Sequence, residues 1–152
     1  MTASGLIALE RELRQLKFTD RQEVIKAIEV AREHGDLSEN AEYHAAREKQ
    51  SFIEGRVLEL ESVISLADVI DPTKLSGNIV RFGATVKLAD EDTDGKSTFQ
   101  IVGTYEADID NGLLSVTSPT ARALIGKSLG DSVEVTTPGG SKSYEIIKVN
   151  YK

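Results

Sequence analysis

Cysteine and tryptophan are absent from this 152-residue chain, proline occurs 3 times and histidine twice. Without a thiol there is no disulfide, no thiolate nucleophile and no cysteine metal ligand. The two histidines, His34 and His44, flank a bend in the sequence pattern and read as surface side chains rather than as half of a zinc site. No nucleophile–histidine–acid triad can be put together convincingly. No apolar run approaches the roughly 18 residues that a membrane span needs, which argues against a membrane partner. The opening "MTASGLIALERELRQLK" lacks a basic start followed by an unbroken apolar core, so it does not read as a signal peptide, and a cytoplasmic location is expected.

Positive charge is also in short supply. The chain carries 18 Lys and Arg against 25 Asp and Glu, a net charge of −7. Residues 1 to 73 hold 9 basic against 15 acidic side chains, a net of −6, and residues 74 to 152 hold 9 against 10, a net of −1. A chain this acidic is repelled by a bare phosphate backbone, where affinity comes mainly from Lys and Arg. If it works near nucleic acid, another protein brings it there.

What the chain does have is two different periods. In the first half Leu6, Leu9, Leu13 and Leu16 step at coiled-coil spacing. The stretch "FTDRQEV" shifts the phase, and Asp20 with Glu23 resembles a fresh capping signal, which predicts a kink or break. The seam resumes at Val24, Ala27, Ile28 and Ala31. Beyond "EHGDLSEN" it continues through Tyr43, Ala46, Gln50, Ile53, Val57, Leu60, Ile64 and Ala67. Two such seams around a short bend predict an antiparallel helical hairpin whose arms, at 1.5 Å per residue, are on the order of 45 Å long. Because the hairpin satisfies its own seam, a monomer is expected. Near the bend the expected inward positions are small or polar (Ala27, Ala31, Ala41, Ala45, Ala46, Gln50). Such a tip is slender, as entry into a narrow space requires, though hairpin tips in general have less to bury.

"DPTKLSG" marks the boundary, and the period changes after it. "NIVRF", "TVKLA", "TFQIVG", "LLSVT", "SVEVT" and "YEIIKV" read as short strands. "DEDTDG" and "TPGGSK" read as hairpin turns; the second lacks the helix N-terminus that a phosphate loop requires. Ser118 as N-cap and Pro119 as first helical residue open a short helix in "SPTARALIGK". The expected fold class is therefore α+β in two domains: a coiled-coil hairpin over 1–74 and a small, mainly antiparallel sheet domain with one helix over 75–152.

The chemistry concentrates at the bend, residues 35 to 40, where Asp36 and Glu39 stand at a spacing that faces both the same way at a helix start. Asp36 as N-cap and Glu39 three positions later would make a capping box. Alternatively the two carboxylates bind a divalent metal. Two carboxylates leave most of the octahedral shell of Mg²⁺ to water or to another molecule, so alone they bind it weakly.

"AREHGDLSENAEYHAAREKQ" resembles the tip motif of the bacterial transcript cleavage factors of the GreA type. "FGATV", "IVG", "SPTARALIGK", "TPGG" and "IIKV" resemble that family's later landmarks in the expected order, so the likeness runs from about Leu6 to Lys152. It implies an N-terminal antiparallel coiled coil and a C-terminal domain similar to the FK506-binding fold. It also implies a partner, RNA polymerase, with the C-terminal domain docked on the rim of the secondary channel and the coiled coil inside it. There the 3′ end of nascent RNA is extruded when polymerase backtracks. On this resemblance Asp36 and Glu39 match the tip acids that share the second Mg²⁺ of polymerase, whose own active site then hydrolyses the RNA. The factor is then an accessory rather than an enzyme. Arg32 and Arg47 match basic residues that contact the extruded RNA, and Ser118 and Pro119 match the loop that engages the rim.

A channel-binding inhibitor of the same fold is an alternative, against which the Asp36/Glu39 pair argues. A prolyl isomerase or chaperone module follows from fold analogy alone. Its pocket would want an aromatic lining, and the second half offers only Phe82, Phe99, Tyr105, Tyr144 and Tyr151.

Overall fold

The structure, a computed structural model, describes residues 1–35 and 39–152; Asp36, Leu37 and Ser38 lie outside the described residues. The chain divides into two compact units, one of residues Leu6–Ala67 and one of Met1–Gly5 with Asp68–Lys152.

The first unit is the helical hairpin. Helix α1 (Ala3–Gln15) runs through a π turn (Leu16–Asp20) into α2 (Arg21–Arg32), and α3 (Ala41–Ser65) returns antiparallel to them. Leu9, Leu16, Val24 and Ala31 on one arm, and Ala46, Ile53, Val57 and Leu60 on the other, are its buried residues, and all are seam positions. Burying one Leu or Ile side chain contributes about 1.5–3 kcal/mol, so this row holds the arms together. Ala27, Ala41 and Ala45, expected to point inward, are exposed instead. The buried alanines near the bend are Ala31 and Ala46.

The expected fresh cap at Asp20 is not found. Asp20 has helical φ −65° and ψ −41° and makes no side-chain capping bond. A cap needs a non-helical residue, and here the helix never breaks. The surplus residue is taken up by the wide π turn, in which the Arg21 N–H donates to the Leu16 carbonyl, five positions back.

Ion pairs flank the seam. Arg21 joins Glu54, Lys17 joins Glu61 at 3.1 Å, and Arg56 joins both Glu12 and Glu59. The hydrogen bond from Arg56 to Glu12, reinforced by Glu59, raises the guanidinium pKa above its ordinary value.

The second unit is a five-stranded sheet in the order β3-β2-β1-β5-β4, formed by β1 (Thr85–Asp90), β2 (Lys96–Val102), β3 (Leu113–Ser115), β4 (Ser132–Thr137) and β5 (Gly140–Asn150). All neighbours are antiparallel except β2 and β3. Helix α4 (Pro119–Leu124) covers one face. Its Ala121 and Leu124 pack with Val80, Val86, Leu88, Ile101, Val133 and Ile146 into the core. "DEDTDG" does turn β1 into β2, and "TPGGSK" turns β4 into β5 with Thr137 opposite Gly140.

"NIVRF", read as a strand, is not one. It makes a single bridge, Ile79 to Ser128, because Val80 exchanges its backbone bonds with Lys127 and Gly126 in the segment after α4 rather than with a strand. Val80 is nevertheless fully buried, so the hydrophobic signal was right about burial and wrong about the ladder.

The first residues of the chain belong to this unit. The Ile70 N–H donates to the Met1 carbonyl at 2.8 Å, and the Ala3 N–H donates to the Ile70 carbonyl at 3.2 Å. The Glu106 carboxylate then accepts the Thr2 N–H at 2.8 Å, the Gly103 N–H at 2.6 Å and the Thr2 hydroxyl. A Cβ at Gly5 would overlap the Glu106 side chain in this position.

Candidate functional site

The bend is built by two helix ends that solve opposite problems. The last turn of α2 leaves carbonyls without helical partners, and the first turn of α3 leaves N–H groups without them. At the α2 end the His34 N–H donates to the Ala31 carbonyl at 3.2 Å and the Gly35 N–H to the Arg32 carbonyl at 3.3 Å. Gly35 has φ +86°, a left-handed conformation that ends a helix and that glycine adopts without a Cβ clash.

At the α3 end the N-cap is Asn40, extended at φ −83° and ψ 100°, whose side-chain oxygen accepts the Tyr43 N–H at 3.1 Å. This corrects the capping-box reading. Glu39 precedes the N-cap and so cannot be the third helical residue. It is an exposed turn residue, and no hydrogen bond or ion pair ties its carboxylate to another described residue. Asp36 lies outside the described residues.

Sequence reasoning missed Asn40. Asn is among the strongest N-cap residues, so the signal was present. It was hidden by the neighbouring acids, whose spacing matches a capping box equally well. The same side chain also donates through Nδ2 to the Ala31 carbonyl at 2.6 Å, joining α3 to the last turn of α2.

Arg32 closes α2, Arg47 lies in α3, and both are exposed. Neither forms an ion pair with another described residue. His34 approaches Glu42 at 3.7 Å, and the His44 ring stands edge-on to Tyr43 with centroids 5.6 Å apart. The two histidines are thus engaged locally.

Among the described residues no group of three or more His, Cys, Asp or Glu is placed to hold a metal ion. Hard carboxylate oxygens suit Mg²⁺, but a bend offering Glu39 and, in sequence, Asp36 supplies a fraction of its shell. Two carboxylates are too few to complete that shell by themselves.

Ser118 and Pro119 belong to the sheet unit. The Ser118 hydroxyl caps α4 by accepting the Ala121 N–H at 3.2 Å, and Pro119 is the exposed first residue of the helix. The cap and the proline fix the path of the chain from β3 into α4. Among the described residues no helix is long and apolar enough to cross a membrane.

Both units have recognisable counterparts. Residues 1–69 match the family model described as transcription elongation factor, N-terminal, and residues 75–151 match the one described as transcription elongation factor, GreA/GreB, C-terminal. The chain is 70% identical over 151 residues to the transcription elongation factor GreA of Ruegeria pomeroyi, covering 99% of this chain and 96% of that one. It is 64% identical over the same length and coverage to the proteins of that description from Cereibacter sphaeroides and Paracoccus denitrificans.

Proposed function

The chain belongs to the GreA/GreB family of transcription elongation factors, and on that premise we propose that it makes a backtracked RNA polymerase cleave its own transcript. In this reading the hairpin enters the secondary channel of polymerase and brings its bend to the extruded 3′ end of the RNA. Asp36 and Glu39 would hold a shared Mg²⁺ together with groups of polymerase. When bound, that ion supplies charge stabilisation to one of the two oxygens of the displacement, the work of the second ion in two-metal hydrolysis. The chain itself breaks no bond and is an accessory, not an enzyme.

The observation that carries the proposal is that the exposed Glu39 carboxylate makes no hydrogen bond or ion pair with another described residue. Helix α3 is capped by Asn40, so Glu39 is not needed as its cap. An exposed carboxylate ahead of a helix N-terminus is accessible to a partner's ion. Arg32 and Arg47 would attract the RNA phosphates locally, although the chain as a whole is acidic. Ser118 and Pro119 would engage the channel rim, so affinity comes from protein contacts rather than from RNA. The chain would work as a monomer in the cytoplasm.

The test is RNA cleavage in stalled, backtracked polymerase with and without the protein, beside protein, RNA and Mg²⁺ alone. Cleavage is expected when polymerase is present and absent without it. Robust hydrolysis by the isolated protein would overturn the proposal, as would a lack of stimulation in the complex.

A further inference from the structure

The side-chain amide of Asn40 holds both ends of the bend at once. Its Oδ1 accepts the Tyr43 N–H at 3.1 Å while its Nδ2 donates to the Ala31 carbonyl at 2.6 Å, across 9 residues of chain. The polarity is matched at each end. Partial negative charge gathers on the carbonyls closing α2, and partial positive charge on the N–H groups opening α3. A donor faces the first and an acceptor the second. Among short side chains an amide offers both on a rigid plane. A cap alone uses only the acceptor; the bond to Ala31 exceeds what starting α3 requires.

That second bond closes a loop whose anchors adjoin the candidate functional residues. Glu39 is one peptide bond from Asn40, and Arg32 is one from Ala31. We infer that Asn40 is a positioning residue: by tying α3 to the Ala31 carbonyl it fixes the backbone that carries Glu39, and so the place where the Glu39 carboxylate meets a shared metal ion. The inference rests on the function proposed above. Its physical basis is general. A ligand presented from a turn is only as well placed as the groups that hold the turn, and losing such an outer partner typically weakens metal affinity or activity by about 10–100-fold.

Asn40→Asp separates positioning from capping. Asp caps about as well as Asn, but it sets a carboxylate oxygen against the Ala31 carbonyl where a donor stood. Asn40→Ser keeps a capping oxygen, is too short to span to Ala31 and adds no charge, so it controls for the new negative charge and serves if the Asp variant fails to fold. Each variant is compared with the parent by thermal melt, by competition for core polymerase, by backbone ¹⁵N relaxation at the Glu39 amide, and by transcript cleavage against Mg²⁺ concentration.

The expected result is parental binding, a melt near that of the parent and a more mobile Glu39 amide. The Mg²⁺ needed for half-maximal cleavage should rise by about 10-fold or more. A merely structural role would instead lower melting and binding together and leave the Mg²⁺ requirement unchanged; that pattern overturns the inference, as does parental behaviour throughout. Should the parent itself stimulate no cleavage, the proposed function has failed, and the Glu39 relaxation decides between a clamp and a simple cap on its own.

Discussion

Arg21 grips Glu54 with two parallel bonds, Nε to one carboxylate oxygen at 2.7 Å and the terminal nitrogen to the other at 2.9 Å. Arg21 is also the residue whose N–H closes the π turn onto Leu16. The fork therefore joins α3 at the point where the first arm absorbs its phase shift. Bidentate geometry is the form of surface ion pair that holds register best, although its energy is modest.

The π turn makes an unusual deletion tolerable. Leu16 and Val24 are both buried yet stand one residue further apart than a heptad allows. Removing Thr19, which is exposed, should convert the π turn into ordinary helix and leave every seam residue facing α3. We expect the deletion variant to melt at or above the parental temperature by circular dichroism. Inserting Ala after Thr19 should lower it, because each added residue rotates the following helix by about 100°. A deletion that unfolds the hairpin would refute this account of the turn.

Asp36→Asn and Glu39→Gln should leave the hairpin intact, since Asn40 caps α3. Loss of favourable charge near the helix start changes stability by a few tenths to about 1 kcal/mol at most. Both variants should bind polymerase like the parent and lose most stimulation of cleavage, with raised Mg²⁺ restoring part of it. Cleavage rates across a Mg²⁺ series, beside a melt of each variant, make the comparison. Parental rates would mean the two acids have no part in the chemistry.

Docking and RNA contact should separate by unit. Ser118→Ala removes the α4 cap, which costs about 1 kcal/mol locally. Combined with Pro119→Ala it should weaken binding to core polymerase while the hairpin keeps its helix content. Arg32→Ala with Arg47→Ala should leave that binding nearly intact and reduce cleavage in complexes with extruded RNA. Equal losses of binding from both pairs would contradict the assignment.

Glu106→Ala should release the start of the chain from the sheet unit. Three donors, the Thr2 N–H, the Thr2 hydroxyl and the Gly103 N–H, lose their acceptor. A part-buried donor left without a partner costs about 1–3 kcal/mol. Hydrogen exchange should accelerate at Thr2 and Gly103, with β4 and β5 unchanged. Unaltered exchange at Thr2 would show that the two backbone bonds linking Ile70 with Met1 and Ala3 suffice.

Much of this was legible in the chain alone, for a physical reason. Hydrophobic period is a local property, so Leu9, Val24, Ile53, Val57 and Leu60 declared a helical seam, and "TVKLA" and "SVEVT" declared strands. The acidic bend declared itself by being the place where the period stops. What the tertiary structure decided was competition among partners. Asp20 had the spacing of a cap, but a helix held on both sides by α3 takes up its surplus residue as a π turn. Val80 had the pattern of a strand, but its backbone bonds went to the segment after α4. Asp36 and Asn40 both carry side chains able to cap a helix, and the three-residue spacing to Glu39 pointed to Asp36. Asn40 caps α3 and also reaches the carbonyl of Ala31, a residue brought within hydrogen-bond range only when the two arms of the hairpin have packed.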